Sequence, residues 1–155
     1  MVSSAARATR SRVLIRMKLR IAAIGKAKAS PELQLYHDYI KRLPWKVECS
    51  ECRDNDGLLA ACKGYDRLIA LDETGKQFSS QEFAGQLKTW QQQGYSSFAF
   101  IIGGADGLDD AVRKAVHLTW SLGKLTWPHM LVRGLLAEQL YRAHTIISAH
   151  PYHRA

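Results

Sequence analysis

The stretch FAFIIGGADGL, from Phe98 to Leu108, decides the fold class more than any other part of the chain. It opens with five apolar residues in a row, Phe98 to Ile102, which is typical of a strand covered on both faces of a parallel sheet. Gly103 and Gly104 end this run, and apolar residues at helical spacing follow from Leu108. We therefore predict a strand, a tight turn and a helix, which together form the repeating unit of an α/β protein.

The same unit recurs upstream of this stretch. RLIAL, from Arg67 to Leu71, predicts a buried strand that ends in the turn DETGK. Ser79 to Glu82 then forms a capping box, which begins a helix that ends at Gly94. Closer to the N-terminus, Leu19 to Ile24 predicts another strand, and Ser30 followed by a proline begins the next helix.

Three further elements complete the predicted order. A strand is predicted from Trp45 to Glu51 and a short helix from Gly57 to Lys63. A short strand or loop from Ser121 to Thr126 precedes a last helix that begins at Pro128. Alternating strands and helices with short connections predict a parallel sheet with helices on both faces.

Length and composition indicate one globular domain. The chain has 155 residues, 46% of them apolar, and no apolar run approaches the ~20 residues of a membrane span. The net charge of +8 is uneven, because residues 1–16 hold four arginines and no acid. They lack the apolar core of a secretory signal. We interpret 1–16 as a disordered leader or a mis-assigned start, since MKLRIAAIG from Met17 already predicts a strand, and 17–155 as the domain.

The three cysteines do not form a closed disulfide framework. Cys49 and Cys52 form a CSEC pair, which has the spacing of half a zinc site or of a redox motif. Cys49 also continues the alternation of a predicted strand, and this interpretation is favoured, in a reducing cytoplasm.

Predicted loops follow three strands, after Leu71, after Ile102 and between Leu122 and Trp127. Ligands of open parallel sheets bind beyond these carboxyl ends. Gly103 and Gly104 carry no Cβ, so we expect a ligand to approach their backbone closely, although ordinary turns use glycine too. The dinucleotide, P-loop, serine-hydrolase and zinc-protease motifs are all absent from the sequence.

The C-terminal stretch LTWPHMLVRGLLAEQLYRAHTIISAHPYHRA, residues 125–155, is rich in polar functional groups. His129 and Arg133 are four residues apart and share one helix face. Arg142 follows Glu138 by one helical turn, so its guanidinium is expected either to form an ion pair with Glu138 or to contact RNA. His150 and His153 are too few to hold a metal. A cluster of arginine, histidine and tyrosine side chains suits an RNA phosphate and an unstacked base.

Four stretches together resemble the RlmH family, SPOUT-class methyltransferases that act on N3 of a pseudouridine in large-subunit (23S) ribosomal RNA. They are MKLRIAAIGK, LIALDETGKQFSS, FIIGGADGL and WSLGKLTWPHMLVRGLLAEQLYRAHTIISAHPYHR. The resemblance covers Met17 to Arg154. Residues 1–16 have no counterpart in that family, and the segment between the first helix and Arg67 is shorter than usual there.

The resemblance implies a C-terminal trefoil knot, S-adenosylmethionine as the cofactor, no metal, and a cytoplasmic homodimer in which each tail reaches the partner's site. The partner substrate is 23S ribosomal RNA or the assembled ribosome. The implied cofactor contacts are Leu71, Gly103, Leu122, Gly123, Lys124, Leu125, Thr126 and Trp127. The last helix also carries more apolar residues than one core buries, which independently favours a dimer.

The target nitrogen carries a proton, so we expect help from a base or a hydrogen-bond donor. The catalytic candidates are His129, Arg142 and His153. The candidate RNA contacts are Arg133, Arg142, Tyr152 and Arg154. Two alternatives stay open, a ribosome-associated RNA-binding protein without catalysis and an RNA ribose 2′-O-methyltransferase. The glycine turn and the LGKLTWPH loop argue against the first, and the HPYHR tail against the second.

Overall fold

Ten elements alternate along residues 17–154, the part of the chain that this computed structural model describes. The strands are β1 Lys18–Ile24, β2 Lys46–Cys52, β3 Arg67–Gln77, β4 Ser97–Ile102 and β5 Leu118–Ser121. The helices are α1 Pro31–Ile40, α2 Asn55–Cys62, α3 Ser80–Gln92, α4 Asp110–Ala115 and α5 His129–Ile147. The interpretation of residues 1–16 as a leader lies outside the described residues.

All strand pairings in the sheet are parallel, in the order β2-β1-β4-β3-β5. The central strand β4 is covered on both faces, as its apolar run predicted. Cys49 and Cys52 both lie in β2, which confirms the strand interpretation of the CSEC pair. None of the helices in the described chain is long and apolar enough to cross a membrane.

Alternate strand residues build two hydrophobic layers, one on each face of the sheet. Phe98 and Phe100 of β4 belong to the larger layer, together with side chains of α1, α3 and α5. Ala99 and Ile101 of the same strand belong to the smaller layer, which α2 and α4 cover. Phe83 of α3 stacks on Trp120 of β5 at 4.0 Å between ring centroids. The predicted parallel sheet with helices on both faces is confirmed.

Local capping explains where several helices begin. Ser79 accepts a hydrogen bond from the Glu82 amide while the Glu82 side chain accepts one from Ser79, so the predicted capping box is present. Ser30 caps α1, which has a proline in its first turn, as predicted. Asp109 caps α4. Helix α4 is shorter than predicted, since Leu108 precedes the cap.

The predicted DETGK turn is wrong, because residues 72–76 belong to β3. Leu71 and Lys76 both pair with Trp120 of β5, so the intervening residues bulge out of the ladder. A Cβ on Gly75 would lie 2.6 Å from the Thr119 backbone. Glycine therefore lets the bulge pass directly against β5.

Residues 121–126 were predicted to form a short strand or a loop, and the loop is confirmed, because the last strand lies earlier in the chain. Strand β5 ends at Ser121, where the prediction placed its beginning, and residues 122–127 form a loop. His117 fixes the beginning of β5, because its amide donates to the Leu68 carbonyl oxygen at 2.8 Å. Its ring Nδ1 accepts a hydrogen bond from the Leu68 amide at 3.0 Å. This pairing with β3 was invisible in the local sequence.

Candidate cofactor cleft and C-terminal cluster

A cleft of about 570 Å³ lies at the carboxyl edge of the sheet, within the range of small-molecule sites. The bulge of β3 and the loops after β4 and β5 form its walls. Seven of the predicted cofactor residues line it, namely Leu71, Gly103, Leu122, Gly123, Leu125, Thr126 and Trp127. Lys124 is exposed and does not line the cleft. The structure thus brings together segments that are far apart in the chain.

Ser121 holds the loop after β5 in shape. Its buried hydroxyl donates to the Gly123 carbonyl oxygen at 2.9 Å and accepts from the Gly123 amide at 3.1 Å. Gly123 has φ +113°, a backbone conformation that L side chains rarely adopt. Leu125 and Trp127, in contrast, are 68% and 38% exposed, so the loop presents apolar surface to solvent. The sequence analysis did not assign this role to Ser121, although a serine two residues before a glycine is typical of such a turn.

The expectation for the paired glycines after β4 needs correction. A Cβ on Gly103 would lie 2.9 Å from Leu108, and a Cβ on Gly104 would lie 2.9 Å from Ile24. The lack of a Cβ at these glycines therefore makes room for Leu108 and Ile24, and these side chains, not a ligand, fill the space beside them. Gly103 still lines the cleft through its backbone.

Acidic side chains dominate the charge of the cleft. Asp72, Glu73 and Asp106 line it together with one guanidinium, that of Arg113. Arg113 binds Asp72 at 2.8 Å and donates from Nε to the Leu108 carbonyl oxygen at 3.2 Å. This pair ties the end of β3 to α4, and the remaining carboxylates favour a cationic ligand. The acids were missed because the DETGK segment was interpreted only as a turn.

His129 lines the cleft at the beginning of α5. Its Nε2 lies 2.6 Å from the Ile24 carbonyl oxygen. Because a carbonyl oxygen only accepts, Nε2 carries the proton, and Nδ1 is the ring nitrogen left to accept one. The candidate base is therefore held in a defined tautomer.

Arg133 lies one turn further along α5, but its geometry does not support the predicted RNA contact. Its side chain is 3% exposed. Nη1 donates to Glu51 at 3.0 Å, and Nη2 donates to the Gly25 carbonyl oxygen at 3.1 Å. Binding an RNA phosphate would require breaking both contacts. Arg133 instead anchors α5 to the ends of β1 and β2.

The chain turns back on itself after α5, and the tail folds onto this helix. Ala149 has φ 59°, and the His150 amide donates to the Thr145 carbonyl oxygen at 2.8 Å, which ends the helix in a left-handed turn. Tyr152 is then placed with its hydroxyl 3.0 Å from Glu138. The tail is thus an ordered part of the domain.

Arg142 connects the helix to the tail. It donates to Glu138 from Nε at 2.9 Å and from Nη2 at 2.6 Å, so the ion pair left open by the sequence is present. This pair raises the pKa of Arg142. The Arg142 guanidinium also lies 4.8 Å from the centre of the Tyr152 ring. Arg154 is exposed.

His153 completes this cluster. Arg142 Nη1 lies 3.1 Å from its Nδ1, and arginine only donates, so Nδ1 accepts and the proton resides on Nε2. Within the described chain Nε2 is buried without a hydrogen-bond partner. His153 therefore presents an unsatisfied N–H donor and has no lone pair free to act as a base.

The structure does not bring the three catalytic candidates together within one chain. Arg142 lies 13 residues after His129 on α5, which corresponds to about 20 Å along the helix. Neither Arg142 nor His153 lines the cleft. Between residues 17 and 154 there is also no group of three or more histidine, cysteine or acidic side chains that could hold a metal ion.

Comparison with known proteins gives consistent matches. The family model described as "Predicted SPOUT methyltransferase" matches residues 17–153. A protein named "Ribosomal RNA large subunit methyltransferase H" from Paramagnetospirillum magneticum is 48% identical, over 89% of this chain and 99% of that protein. A protein of the same name from Rhodospirillum centenum is 44% identical, over 90% of this chain and all of that protein.

Two solved structures share the fold. A probable methylase family protein from Haemophilus influenzae superposes with a TM-score of 0.60 and 10% identity, over 88% of this chain and 70% of that one. A probable methyltransferase from Bordetella pertussis gives a TM-score of 0.59 and 13% identity, over 87% and 99% of the two chains.

Proposed function

This chain belongs to the SPOUT methyltransferase family, and on that premise we propose that it transfers a methyl group from S-adenosylmethionine to large-subunit ribosomal RNA. The single observation that carries the proposal is the cleft at the carboxyl edge of the sheet. Three separate segments form it, and they include seven of the positions that sequence resemblance assigned to the cofactor. The relatives that match over nearly their whole length are named for this activity.

The cleft fits S-adenosylmethionine in size and charge. The cofactor carries a sulfonium and an ammonium group, and the lining carboxylates of Glu73 and Asp106 supply the complementary charge. Leu71, Leu122 and Leu125 offer apolar surface to the adenosine. When bound, S-adenosylmethionine supplies an electrophilic methyl group and a neutral thioether leaving group. The cleft contributes alignment, which accounts for up to ~7–11 kcal/mol of the barrier.

The proposed acceptor is N3 of a pseudouridine, which lies between two carbonyl groups and loses its proton in the reaction. His129, which lines the cleft, would accept this proton on Nδ1, because Nε2 is committed to Ile24. The Nε2–H of His153 is buried without a partner in the described chain, and on rearrangement of the tail it would donate to a carbonyl oxygen beside N3 and stabilise the charge that develops there. Arg154, which is exposed, would bind a phosphate.

These roles require two protomers, since neither Arg142 nor His153 lines the cleft of its own chain. We propose a homodimer in which the tail of one protomer meets the cleft of the other. Leu131 and Leu135 lie one turn apart on α5 and are partly exposed, and Trp127 of the preceding loop lines a pocket with Leu135. Together they form an apolar surface that a second copy would cover. We also propose the C-terminal trefoil knot that the family resemblance implies.

Incubation with methyl-labelled S-adenosylmethionine and separated ribosomal subunits tests the activity. Label should enter the RNA of the large subunit, and the small subunit is the matched control. Equal labelling of both subunits, or no label in the large subunit either when it is separate or within assembled ribosomes, would contradict the proposal.

A mixing experiment tests the composite site. One variant lacks residues 150–155, and the other carries Leu122→Arg, which places a cation in the cleft. Each variant should be inactive alone. Their mixture should recover about a quarter of wild-type activity, because half of the dimers are mixed and each of these holds one intact site. Full activity of the truncated variant alone, or no recovery on mixing, would contradict the composite site.

A further inference from the structure

Tyr39, on α1, contacts the C-terminal cluster, and nothing in the sequence pointed to it. Its hydroxyl lies 3.2 Å from the hydroxyl of Tyr152, although 113 residues separate the two in the chain. The rings of Tyr39 and Tyr141 are 6.0 Å apart, and those of Tyr141 and Tyr152 are 4.7 Å apart, edge to face. Helix α1 therefore reaches the tail through a row of aromatic rings.

The direction of the hydrogen bonds in this row follows from Glu138. The Tyr152 hydroxyl lies 3.0 Å from Glu138 Oε1, and a carboxylate only accepts, so the single proton of Tyr152 points to Glu138. The hydroxyl of Tyr39 must then be the donor in its contact with Tyr152. The chain of donors runs from Tyr39 through Tyr152 to Glu138.

Glu138 is itself held firmly. Its Oε1 accepts from Nε and Nη2 of Arg142, and its Oε2 accepts from Gln139 at 2.9 Å. The carboxylate is only 19% exposed, so exchange of these donors for water is restricted. The Tyr152 hydroxyl thus lies between a fixed acceptor on α5 and a donor on α1. Its ring is covered on one side by the Arg142 guanidinium.

We propose that Tyr39 is a positioning residue that fixes the orientation of Tyr152 and of the tail that follows it. The inference rests on the proposed function, in which the tail orders the target nucleotide. Without the Tyr39 hydroxyl, Tyr152 keeps Glu138 but loses the second contact that defines its orientation. His153 and Arg154 follow directly, so their placement loosens as well. The cleft is built from other segments and is not affected.

Tyr39→Phe and Tyr152→Phe, separately and together, test this role. Tyr65→Phe is the matched control, because within the described chain the Tyr65 hydroxyl accepts one hydrogen bond, from Arg20 Nε at 3.0 Å, away from both the cleft and the tail. With ribosomal RNA as substrate, Tyr39→Phe should lower kcat about three- to tenfold, the rate equivalent of one neutral hydrogen bond. KM for S-adenosylmethionine should stay unchanged, and Tyr65→Phe should match the wild type.

The double variant separates positioning from general stability. If Tyr39 acts through Tyr152, its substitution has no further effect once the Tyr152 hydroxyl is gone. Effects on kcat that multiply independently would overturn the inference, as would a Tyr39→Phe variant with the kcat of the wild type.

Hydrogen exchange of the tail peptide, residues 148–155, gives a measurement that needs no activity. Tyr39→Phe should speed exchange there, and Tyr65→Phe should not. An inactive wild-type protein would refute the proposed function, and the exchange data alone would then decide the inference. Unchanged tail exchange in Tyr39→Phe would overturn it in that case too.

Discussion

Replacement of Gly123 by alanine should destabilise the protein, whereas replacement of Gly85 by alanine should stabilise it. At both positions an added Cβ would meet no other atom within 4 Å, so crowding plays no part in the comparison. The difference is in the backbone. Gly123 has φ +113° in the loop beside the cleft, and Gly85 lies within α3.

The two changes should differ in sign and in size. Holding an L residue in a sparsely populated conformation costs about 1–3 kcal/mol. Alanine in place of glycine within a helix stabilises by about 0.5–1 kcal/mol. A domain of this length shifts its melting temperature by about 2–4 °C per kcal/mol. Gly123→Ala should therefore melt about 2–12 °C lower than the wild type, and Gly85→Ala about 1–4 °C higher.

Thermal melting by circular dichroism and titration calorimetry with S-adenosylmethionine measure both consequences. If the loop of the Gly123→Ala variant relaxes to relieve the strain, it must return to the original conformation when the cofactor binds. Affinity should then fall by about tenfold for each 1.4 kcal/mol of strain. Gly85→Ala should bind as the wild type does. Equal melting temperatures for Gly123→Ala and the wild type, with equal affinity, would refute the argument that this backbone conformation shapes the cleft.

Three further outcomes are expected. Burial, and then the charge of Arg67, lowers the pKa of His117, whose neutral Nδ1 accepts a hydrogen bond from the Leu68 amide. The contribution of His117 to the free energy of unfolding is therefore complete above its unfolded pKa and is lost as the pH falls through its lower folded pKa. The ordinary histidine pKa of about 6.5 lies within the range from pH 7.5 to 5. As the pH falls through this range, the urea midpoint should therefore fall more for the wild type than for His117→Ala. Arg133→Met should lower the free energy of unfolding by about 1–3 kcal/mol in a urea titration, because two charge-assisted hydrogen bonds are lost while water reaches the partly exposed Glu51. A loss below about 0.5 kcal/mol would contradict the anchoring role. Arg154→Ala should reduce the salt dependence of RNA binding by roughly 0.7–0.9 in log–log slope, whereas an unchanged slope would exclude a phosphate contact.

The parts of the fold that sequence predicted correctly depend on local patterns. The apolar run of β4, the capping box at Ser79 and the proline after Ser30 act within a few residues of themselves. Alternation of strands and helices then restricts the architecture to a parallel sheet with helices on both faces. None of these inferences needed a distant contact.

The errors concern residues whose conformation depends on distant parts of the chain. The extension of β3 relies on Gly75 passing against Thr119, and the beginning of β5 relies on His117 pairing with Leu68. Sequence also could not show that Leu108 fills the space beside Gly103, whose contact with the cofactor stays a prediction. Arg133 was taken for an RNA contact since its burial against Glu51 is likewise non-local.

The candidate site divides in the same way. Motif resemblance located the loops of the cleft, because they are contiguous stretches of sequence. It did not locate the acids that set the charge of the cleft, or the contact of Tyr39 with Tyr152. Both depend on how separate elements meet in three dimensions.

Identification of the methylated nucleoside tests the central claim most directly. Large ribosomal subunits that lack the modification are incubated with the protein and methyl-labelled S-adenosylmethionine, and the digested RNA is analysed by mass spectrometry. We expect a single labelled product, pseudouridine methylated at N3. Label on a ribose 2′-hydroxyl or on another base, or the absence of any labelled nucleoside, would contradict it.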